Sequence, residues 1–346
     1  MSASHAIARS PAIALAALLA MLPMGASAQP DDGRELAAQW FEEGAAAGSG
    51  DGHKIGYISL GEAEEFVALV TEGIREQADI AGVELVFCDA QFDPDEALIC
   101  ARQLAGVGAE GILNYQATES EAGRICEAHG GLPTIAIDIH QPPCERSFVG
   151  VDNRFAGLVA GRALGEHLQA ERDCQYDTFF VLGAALVGSV GQERTDGMVD
   201  GFAEICGPVP PSKLVERDVG GDFETSLEVF TAELAKQPEE GVNVVVSVNH
   251  NAAFGAAAAA EASSRASELR IASQGAETIK RDVFCEDHWV VATAYFPERY
   301  GRILIPAMVA LLQGEELPAD LFVPNVAVTA GNMAEVYGEV PACEVE

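Results

Sequence analysis

Residues 54–88 read KIGYISLGEAEEFVALVTEGIREQADIAGVELVFC, and this stretch decides the fold class. Lys54–Ser59 is rich in aliphatic and aromatic residues and predicts a strand. The apolar residues of Phe66–Ala81 recur at i, i+3 and i+4 spacings, which predicts one buried helix face, and Gly82 ends that helix. Val83–Cys88 predicts the next strand. Strand, helix and strand in this order are typical of a parallel sheet covered by helices.

The same alternation continues along the chain and predicts an α/β protein. Further strands are predicted at Gly111–Leu113, Thr134–Ile137, Thr178–Leu182, Lys213–Asp218, Val242–Ser247, Arg270–Ser273 and Val290–Ala294. Further helices are predicted at Pro94–Leu104, Ser120–His129, Asp152–Leu168, Arg194–Ile205, Phe223–Lys236, Ala252–Ser264, Glu277–Asp282 and Tyr300–Leu312. The units are too numerous for one open sheet, and the pattern restarts near residue 175. Two doubly wound parallel-sheet lobes are therefore favoured over a (β/α)₈ barrel.

Composition excludes several classes of partner. The chain has 346 residues, of which 54 are acidic and 20 basic, giving a formal net charge of −34, and 49% of its residues are apolar. That apolar fraction can fill two cores and argues against disorder. Nucleic acids and anionic membrane surfaces are disfavoured, because their binding needs an excess of Lys and Arg.

Residues 1–28 predict a secretory signal. Arg9 precedes an apolar run, Ala12–Met24, and Ala26-Ser27-Ala28 supplies the small residues of a cleavage site. We therefore expect a soluble protein that is periplasmic or otherwise exported. Residues 29–53, acidic and rich in Gly and Ala, are expected to form a loosely packed leader.

The eight cysteines predict disulfides, because their number is even and the compartment is oxidising. No CxxC pair and no zinc-finger spacing of histidines occurs, so no metal site is expected. Many connectivities are open, and pairing of nearest neighbours is the simplest. That pattern would join Cys88 to Cys100, Cys126 to Cys144, Cys174 to Cys206, and Cys285 to Cys343.

Polar and aromatic side chains follow the predicted strands, where ligands bind in open α/β sheets. Carboxylates, amides and a guanidinium make paired hydrogen bonds to vicinal hydroxyls, and aromatic rings stack on the C–H face of a sugar. The set therefore favours a polyhydroxylated ligand. Gly188–Gly191 lacks the Lys-Ser/Thr pair and the GxGxxG spacing of nucleotide loops, so no cofactor is expected.

Several motifs in one order resemble the periplasmic sugar-binding proteins of ABC importers, in the type I group with ribose-, galactose- and xylose-binding proteins. They are IGYIS…F…EG at 55–73, AIDIH at 136–140, VGVDNRFAGLVAG at 149–161, GQERTDGMVDGF at 191–202, VNVVVSVNHNAAFGA at 242–256 and ATAYFPERYG at 292–301. The resemblance covers roughly Lys54–Val328.

The resemblance implies two lobes joined by three crossovers, near Val151–Asn153, Tyr295–Phe296 and Pro324–Asn325. The implied N-terminal lobe comprises residues 54–151 and 296–324. The implied C-terminal lobe comprises residues 152–295 and 325–346.

The resemblance also implies ligand-binding residues at Glu64, Phe66, Asp138, Arg194, Asn249, Gln274 and Tyr295. His140, two residues after Asp138, is a further candidate, with loop packing as its alternative. The sequence departs from ribose binders: Glu64 replaces an amide, Val67 a second aromatic, Ile139 an Arg and Gln274 an Asp. The pocket is therefore not expected to suit ribose. Because its acids outnumber its bases, we expect a neutral or cationic polyhydroxylated ligand.

These observations predict a monomeric, non-enzymatic solute-binding protein that delivers a sugar or polyol to the membrane subunits of an ABC permease. One alternative is a ligand sensor that docks to a chemoreceptor or histidine kinase. A second alternative, of another class, is a secreted glycosidase that uses a carboxylate pair such as Glu64 and Asp138.

Overall fold

The computed structural model of the chain describes residue 1, residues 33–276 and residues 285–338. The predicted signal at 1–28, the predicted helix Glu277–Asp282 and Cys343 lie outside these residues. From Gly33 onward the described residues belong to one compact unit. Among the helices of the described ranges, none combines the length and the apolar character that crossing a bilayer requires.

Strands and helices alternate along the described chain. The strands are β1 (Lys54–Ser59), β2 (Glu84–Asp89), β3 (Gly111–Tyr115), β4 (Thr134–Ile137), β5 (Glu145–Gly150), β6 (Thr178–Gly183), β7 (Leu214–Asp218), β8 (Asn243–Ser247), β9 (Leu269–Gln274), β10 (Trp289–Ala294), β11 (Asp320–Phe322) and β12 (Val326–Val328). The α-helices are α1 (Arg34–Glu43), α2 (Glu65–Ala81), α3 (Pro94–Gly106), α4 (Ala122–Ala128), α5 (Asn153–Arg172), α6 (Gly188–Cys206), α7 (Phe223–Leu234), α8 (His250–Ala262), α9 (Gly301–Leu312) and α10 (Met333–Tyr337).

The described strands form two separate open sheets, so the chain is a two-lobed α/β protein and not a barrel. The first sheet has the order β11-β5-β4-β3-β1-β2 and the second β12-β10-β9-β8-β6-β7. Neighbouring strands are parallel except for β10 and β12, which are antiparallel. We call the first sheet with its flanking helices the N-terminal lobe and the second the C-terminal lobe. The predicted fold class is confirmed.

The described chain passes between the sheets three times. It leaves the first sheet after β5, returns after β10 to contribute β11, and leaves again to contribute β12. These passages fall at the three predicted crossovers. The residue boundaries of the lobes stay a prediction.

The expected loose packing of the leader is wrong. Residues 34–43 of this segment form α1, whose Ala37 and Phe41 are buried in the core. The Phe41 ring meets the edge of Phe296, with ring centroids 5.4 Å apart. Arg34 contacts both lobes, because it bonds Asp152 at the start of α5 and stacks on Phe322 of β11. The sequence of this segment did not reveal the helix, because α1 buries only Ala37 and Phe41, which are four residues apart.

The helices α5 and α6 contact each other backbone to backbone through glycines. A Cβ atom on Gly157 or Gly161 would lie 2.2 Å from the Arg194 carbonyl oxygen or 2.1 Å from that of Met198. From the other side, a Cβ on Gly197 or Gly201 would meet the backbone of α5 at 2.3 Å or 2.2 Å. Any side chain here would push the helices apart, so glycine is required for their spacing.

Three of the four predicted disulfides are present: Cys88–Cys100, Cys126–Cys144 and Cys174–Cys206. Cys285 is also disulfide-bonded. Since Cys343 is outside the described residues, the fourth pairing stays a prediction. The three bonds close loops of 12, 18 and 32 residues, so their effects on the unfolded chain differ.

We expect paired Cys→Ser variants to lose stability in the order of loop length. Loss of Cys174–Cys206 should lower the free energy of unfolding by about 4 kcal/mol, and loss of Cys88–Cys100 by about 3 kcal/mol, because the longer loop restrains the unfolded chain more. Urea unfolding of the two double variants beside the wild type measures both values. A larger loss for the Cys88–Cys100 variant would contradict this order.

Candidate functional site

A cavity of about 230 Å³ lies where the carboxyl ends of strands from both sheets meet. This is the position at which open α/β sheets bind ligands. The residues that line it are Glu64, Phe66, Tyr115, Asp138, Val151, Arg194, Asn249, His250, Asn251, Gln274, Gly275, Tyr295 and Tyr300. Each comes from the end of a strand, from the loop after it or from the first turns of the next helix. Both lobes therefore contribute to one site.

Asp138 follows β4 and is held by two tyrosines. The Tyr115 hydroxyl donates to its Oδ2 at 2.7 Å, and the Tyr300 hydroxyl donates to its Oδ1 at 3.1 Å. Asp138 has φ 60°, a left-handed conformation that is uncommon for a residue other than glycine. Such conformations persist where the surroundings enforce them, and they cluster at functional sites. The two hydroxyls fix the carboxylate, which keeps lone pairs free for further donors.

Burial raises the pKa of the Asp138 carboxyl above its ordinary value, although the two tyrosines and the charge of Arg194 act in the opposite direction. Burial, and then the charge of Asp138, raise the pKa of the Tyr115 hydroxyl well above 10. Tyr115 therefore stays a hydrogen-bond donor throughout the physiological range.

Arg194 lies in α6 of the C-terminal lobe and also lines the cavity. Its Nε donates to Oδ1 of buried Asn153 at 2.7 Å, and its guanidinium lies 5.1 Å from the centre of the Tyr295 ring. Asn153 begins α5, so the glycine contact between α5 and α6 sets the distance between the two residues. The guanidinium is oriented by an amide and an aromatic face, and its terminal N–H groups remain as donors.

Aromatic rings and one amide form the wall between these groups. The Phe66 ring meets the rings of Tyr295 and Tyr300 edge-on, at centroid distances of 6.4 Å and 5.9 Å. The Tyr295 hydroxyl donates to Oε1 of Gln274 at 2.6 Å. Edge-to-face packing of this kind stabilises a rigid wall.

Seven of the eight predicted ligand residues line the cavity, but they are not equally free to bind. Asn249 caps α8: its Oδ1 accepts from the Ala252 amide and its Nδ2 donates to the Gly221 carbonyl, both at 2.9 Å. Its side chain therefore has a structural role. Glu64, at the start of α2, is exposed and makes no capping bond, so its carboxylate is free to turn toward a ligand.

His140 does not line the cavity. It is exposed, bonded to Glu145 at 2.7 Å, and its ring lies 4.4 Å from the ring of Phe148. The alternative of loop packing describes its position. Proximity to Asp138 in sequence was misleading, because the side chain of His140 is occupied by Glu145 and Phe148 outside the cavity lining.

Six residues of the lining were not among the predicted ligand residues: Tyr115, Val151, His250, Asn251, Gly275 and Tyr300. Tyr115 could have been found, since it follows a predicted strand. Tyr300 lay at the first position of a predicted helix, where nothing in the periodicity separates a core ring from a ligand contact. Burial lowers the pKa of His250, which favours its neutral form.

A larger groove of about 610 Å³ lies in the C-terminal lobe beside β6 and β7. Gly188–Gly191 borders it, but so do Asp196, Glu216 and Asp218, whose carboxylates repel phosphate. No residue of the N-terminal lobe lines it. Within the described ranges, no three His, Cys, Asp or Glu residues are grouped so as to hold a metal ion. The smaller cavity between the sheets is therefore the candidate site.

Comparison with known families identifies the fold. A sequence model of the periplasmic binding protein domain matches residues 55–316. The chain belongs to the periplasmic binding protein family. The predicted resemblance is confirmed, and this binding protein is a solute-binding protein rather than an enzyme. A comparison with curated proteins found no match.

Solved structures similar to the binding protein are components of ABC transporters. A solute-binding protein from Actinobacillus succinogenes with bound D-allose is 18% identical, with a TM-score of 0.69 over 82% of this chain and 100% of that one. One from Bacillus halodurans with bound myo-inositol is 19% identical, with a TM-score of 0.67 over 84% and 98%. A ribose transporter component from Conexibacter woesei is 18% identical, with a TM-score of 0.71 over 86% and 97%. At these identities the likeness shows the fold.

We expect Gly157→Ala to lower the free energy of unfolding by about 1–3 kcal/mol, because the added methyl group meets the Arg194 carbonyl and forces α5 and α6 apart. Urea unfolding measures the loss. Gly106→Ala is the matched control, since a Cβ on this helical glycine would meet nothing within 4 Å. Equal stability of the two variants would contradict the role of the glycine contact.

Proposed function

We propose that the binding protein captures one sugar or polyol molecule in the cavity between its two sheets and delivers it to an ABC importer. The observation that carries the proposal is that one cavity is lined by Asp138, an acceptor held by two tyrosines, by Arg194, a donor held by Asn153, and by aromatic rings. A hydroxyl group both donates and accepts, so a polyol satisfies the two sides together.

The size of the cavity supports a single ring. Its volume of about 230 Å³ is below the ~300–1,000 Å³ typical of sites for drug-sized ligands. The rings of Phe66, Tyr295 and Tyr300 provide apolar faces for the C–H groups of a sugar or cyclitol, as aromatic side chains do at interfaces that are apolar on one side.

The charges of the lining favour a neutral or cationic ligand. Among the described lining residues, Glu64 and Asp138 face the same cavity as one Arg, Arg194, and the whole chain has a net charge of −34. A sugar phosphate or sugar acid would meet two carboxylates and a repulsive field. Hydroxyl-rich ligands with or without an amine are therefore the proposed class.

The family supports the proposals of delivery to an importer and of an exported protein. Several similar solved structures are solute-binding proteins of ABC transporters with bound D-allose, myo-inositol or glycerol. We propose that the chain is exported by its N-terminal segment and meets the membrane subunits of a permease after it has bound its ligand. One chain supplies all the described residues around the cavity, so a monomer is sufficient for binding.

We expect Asp138→Asn and Arg194→Ala each to abolish ligand-induced thermal stabilisation. Both variants remove a buried, charge-assisted hydrogen bond to the ligand, a loss of about 1.5–3 kcal/mol. A thermal-shift screen of pentoses, hexoses, polyols, cyclitols and amino sugars measures the effect. The screen of the wild type also identifies the ligand.

Matched controls are Asp200→Asn and Arg162→Ala. These residues form exposed ion pairs with Arg154 and Glu204, outside the cavity. The melting temperatures of these two control variants should rise with ligand as that of the wild type does. A full ligand shift in Asp138→Asn and Arg194→Ala would remove both residues from the site.

We expect the affinity to fall on acidification. The carboxyl of Asp138 must be ionised to accept two tyrosine hydroxyls and a ligand donor, and burial raises its pKa. Protonation therefore begins above the ordinary pKa of about 4, and at pH 4 the Kd should have risen more than twofold. Calorimetric titrations from pH 7 to pH 4 measure it.

Circular dichroism at each pH verifies that the fold is intact. Because His250 also lines the cavity, His250→Gln is titrated in parallel, and its affinity should fall in acid as that of the wild type does. A Kd that is constant down to pH 4 would contradict the role of Asp138 as an ionised acceptor.

A further inference from the structure

One donor in the cavity, Nε2 of Gln274, has no hydrogen-bond partner in the part of the chain that the structure describes. Gln274 ends β9 with 1% of its surface exposed, and its Oε1 accepts from the Tyr295 hydroxyl at 2.6 Å. Its Nε2 is buried and has no hydrogen-bond partner among the described residues. A buried N–H group without an acceptor is costly, so such a group in a native site calls for a partner.

The neighbouring side chains do not supply that acceptor. Tyr295 already donates its hydroxyl proton to Gln274, and both polar atoms of the Asn249 amide are bonded within the protein. Arg194 has donors only. The C-terminal lobe therefore presents N–H groups of Arg194 and Gln274 to the cavity, whereas the N-terminal lobe presents the carboxylates of Glu64 and Asp138.

Resting on the proposed function, we propose that Gln274 determines specificity: its Nε2 donates to an acceptor oxygen of the bound sugar or polyol. The amide thus fixes the orientation in which a ligand binds in the cavity. Hydroxyl protons, or an ammonium group, face the carboxylates of the N-terminal lobe, and lone pairs of a ring or hydroxyl oxygen face Gln274. A ligand with an ammonium group beside Gln274 is rejected, because two donors would then face each other.

This orientation of the ligand follows from the chemistry of the side chain at position 274. The resemblance to ribose binders implies an Asp at this position, and a carboxylate offers acceptors only. An amide in its place offers one acceptor, which Tyr295 occupies, and one pair of donors. The exchange therefore reverses the hydrogen bond at this point of the cavity.

The test is isothermal titration calorimetry of the whole protein with defined probes. The probes are D-allose, D-glucose and D-galactose, each with its 2-amino-2-deoxy analogue, together with D-ribose and myo-inositol. The variants are Gln274→Glu, which replaces the donors by an acceptor, and Gln274→Met, which removes both. Gln313→Glu, exposed and remote from the cavity, controls for the added charge.

For each neutral probe that the wild type binds, the Kd should rise about tenfold or more in Gln274→Glu and in Gln274→Met. In Gln274→Glu alone, the ratio of the Kd of an amino analogue to that of its neutral parent should fall about tenfold, because the new carboxylate attracts the ammonium. Gln313→Glu should change neither quantity. A role in packing alone would weaken both probes of a pair equally.

The possible failures are distinguishable. If the wild type binds no probe, the proposed function and this inference both fail. If the wild type binds a neutral probe and Gln274→Glu binds it with a Kd within twofold, or both probes of a pair weaken equally, only the inference is overturned. Circular dichroism establishes the fold of each variant. Should Gln274→Glu not fold, an unchanged Kd in Gln274→Met overturns the inference in its place.

Discussion

The contact between α5 and α6 is the constraint on which the binding site depends. Helix α5 follows β5, after which the chain first leaves the first sheet, and α6 follows β6, the first strand of the second sheet along the chain. Their glycines bring the two backbones together without side chains between them. Asn153 and Arg194 are consequently held within one hydrogen bond of each other, and the guanidinium meets the Tyr295 ring. The geometry of the donor side of the cavity is thus a property of helix packing.

The acceptor side of the cavity depends on hydrogen bonds between elements that are far apart in sequence. Asp138 is held by hydroxyls from β3 and from the start of α9, two elements far apart in sequence. The chain supplies Tyr300 only after β10 of the second sheet, on its way back to the first sheet. Such a cavity forms only when the whole chain has folded. The rigidity of its walls limits the entropy lost on binding.

Much of the fold could be predicted because its strands are continuous apolar runs and its helices have one buried face. Lys54–Ser59 and Thr134–Ile137 were predicted to the residue. Strand β5 was missed because the prolines and charged residues of its approach resemble a loop, and β11 and β12 are too short for periodicity. In the site, Asp138 and Arg194 were predicted from the family resemblance, and both line the cavity. The structural use of Asn249 was not predicted, because a capping bond depends on backbone geometry that residue types do not reveal.

Helix α1 lies before the region that the family model matches, yet it belongs to the core. Phe41 covers Phe296, and the guanidinium of Arg299 lies 5.0 Å from the centre of the Phe41 ring. A recombinant fragment cut at β1 would follow the family boundary but would expose this apolar surface to water. The smallest fragment with an intact interior therefore begins no later than Gly33, about twenty residues ahead of the homologous domain.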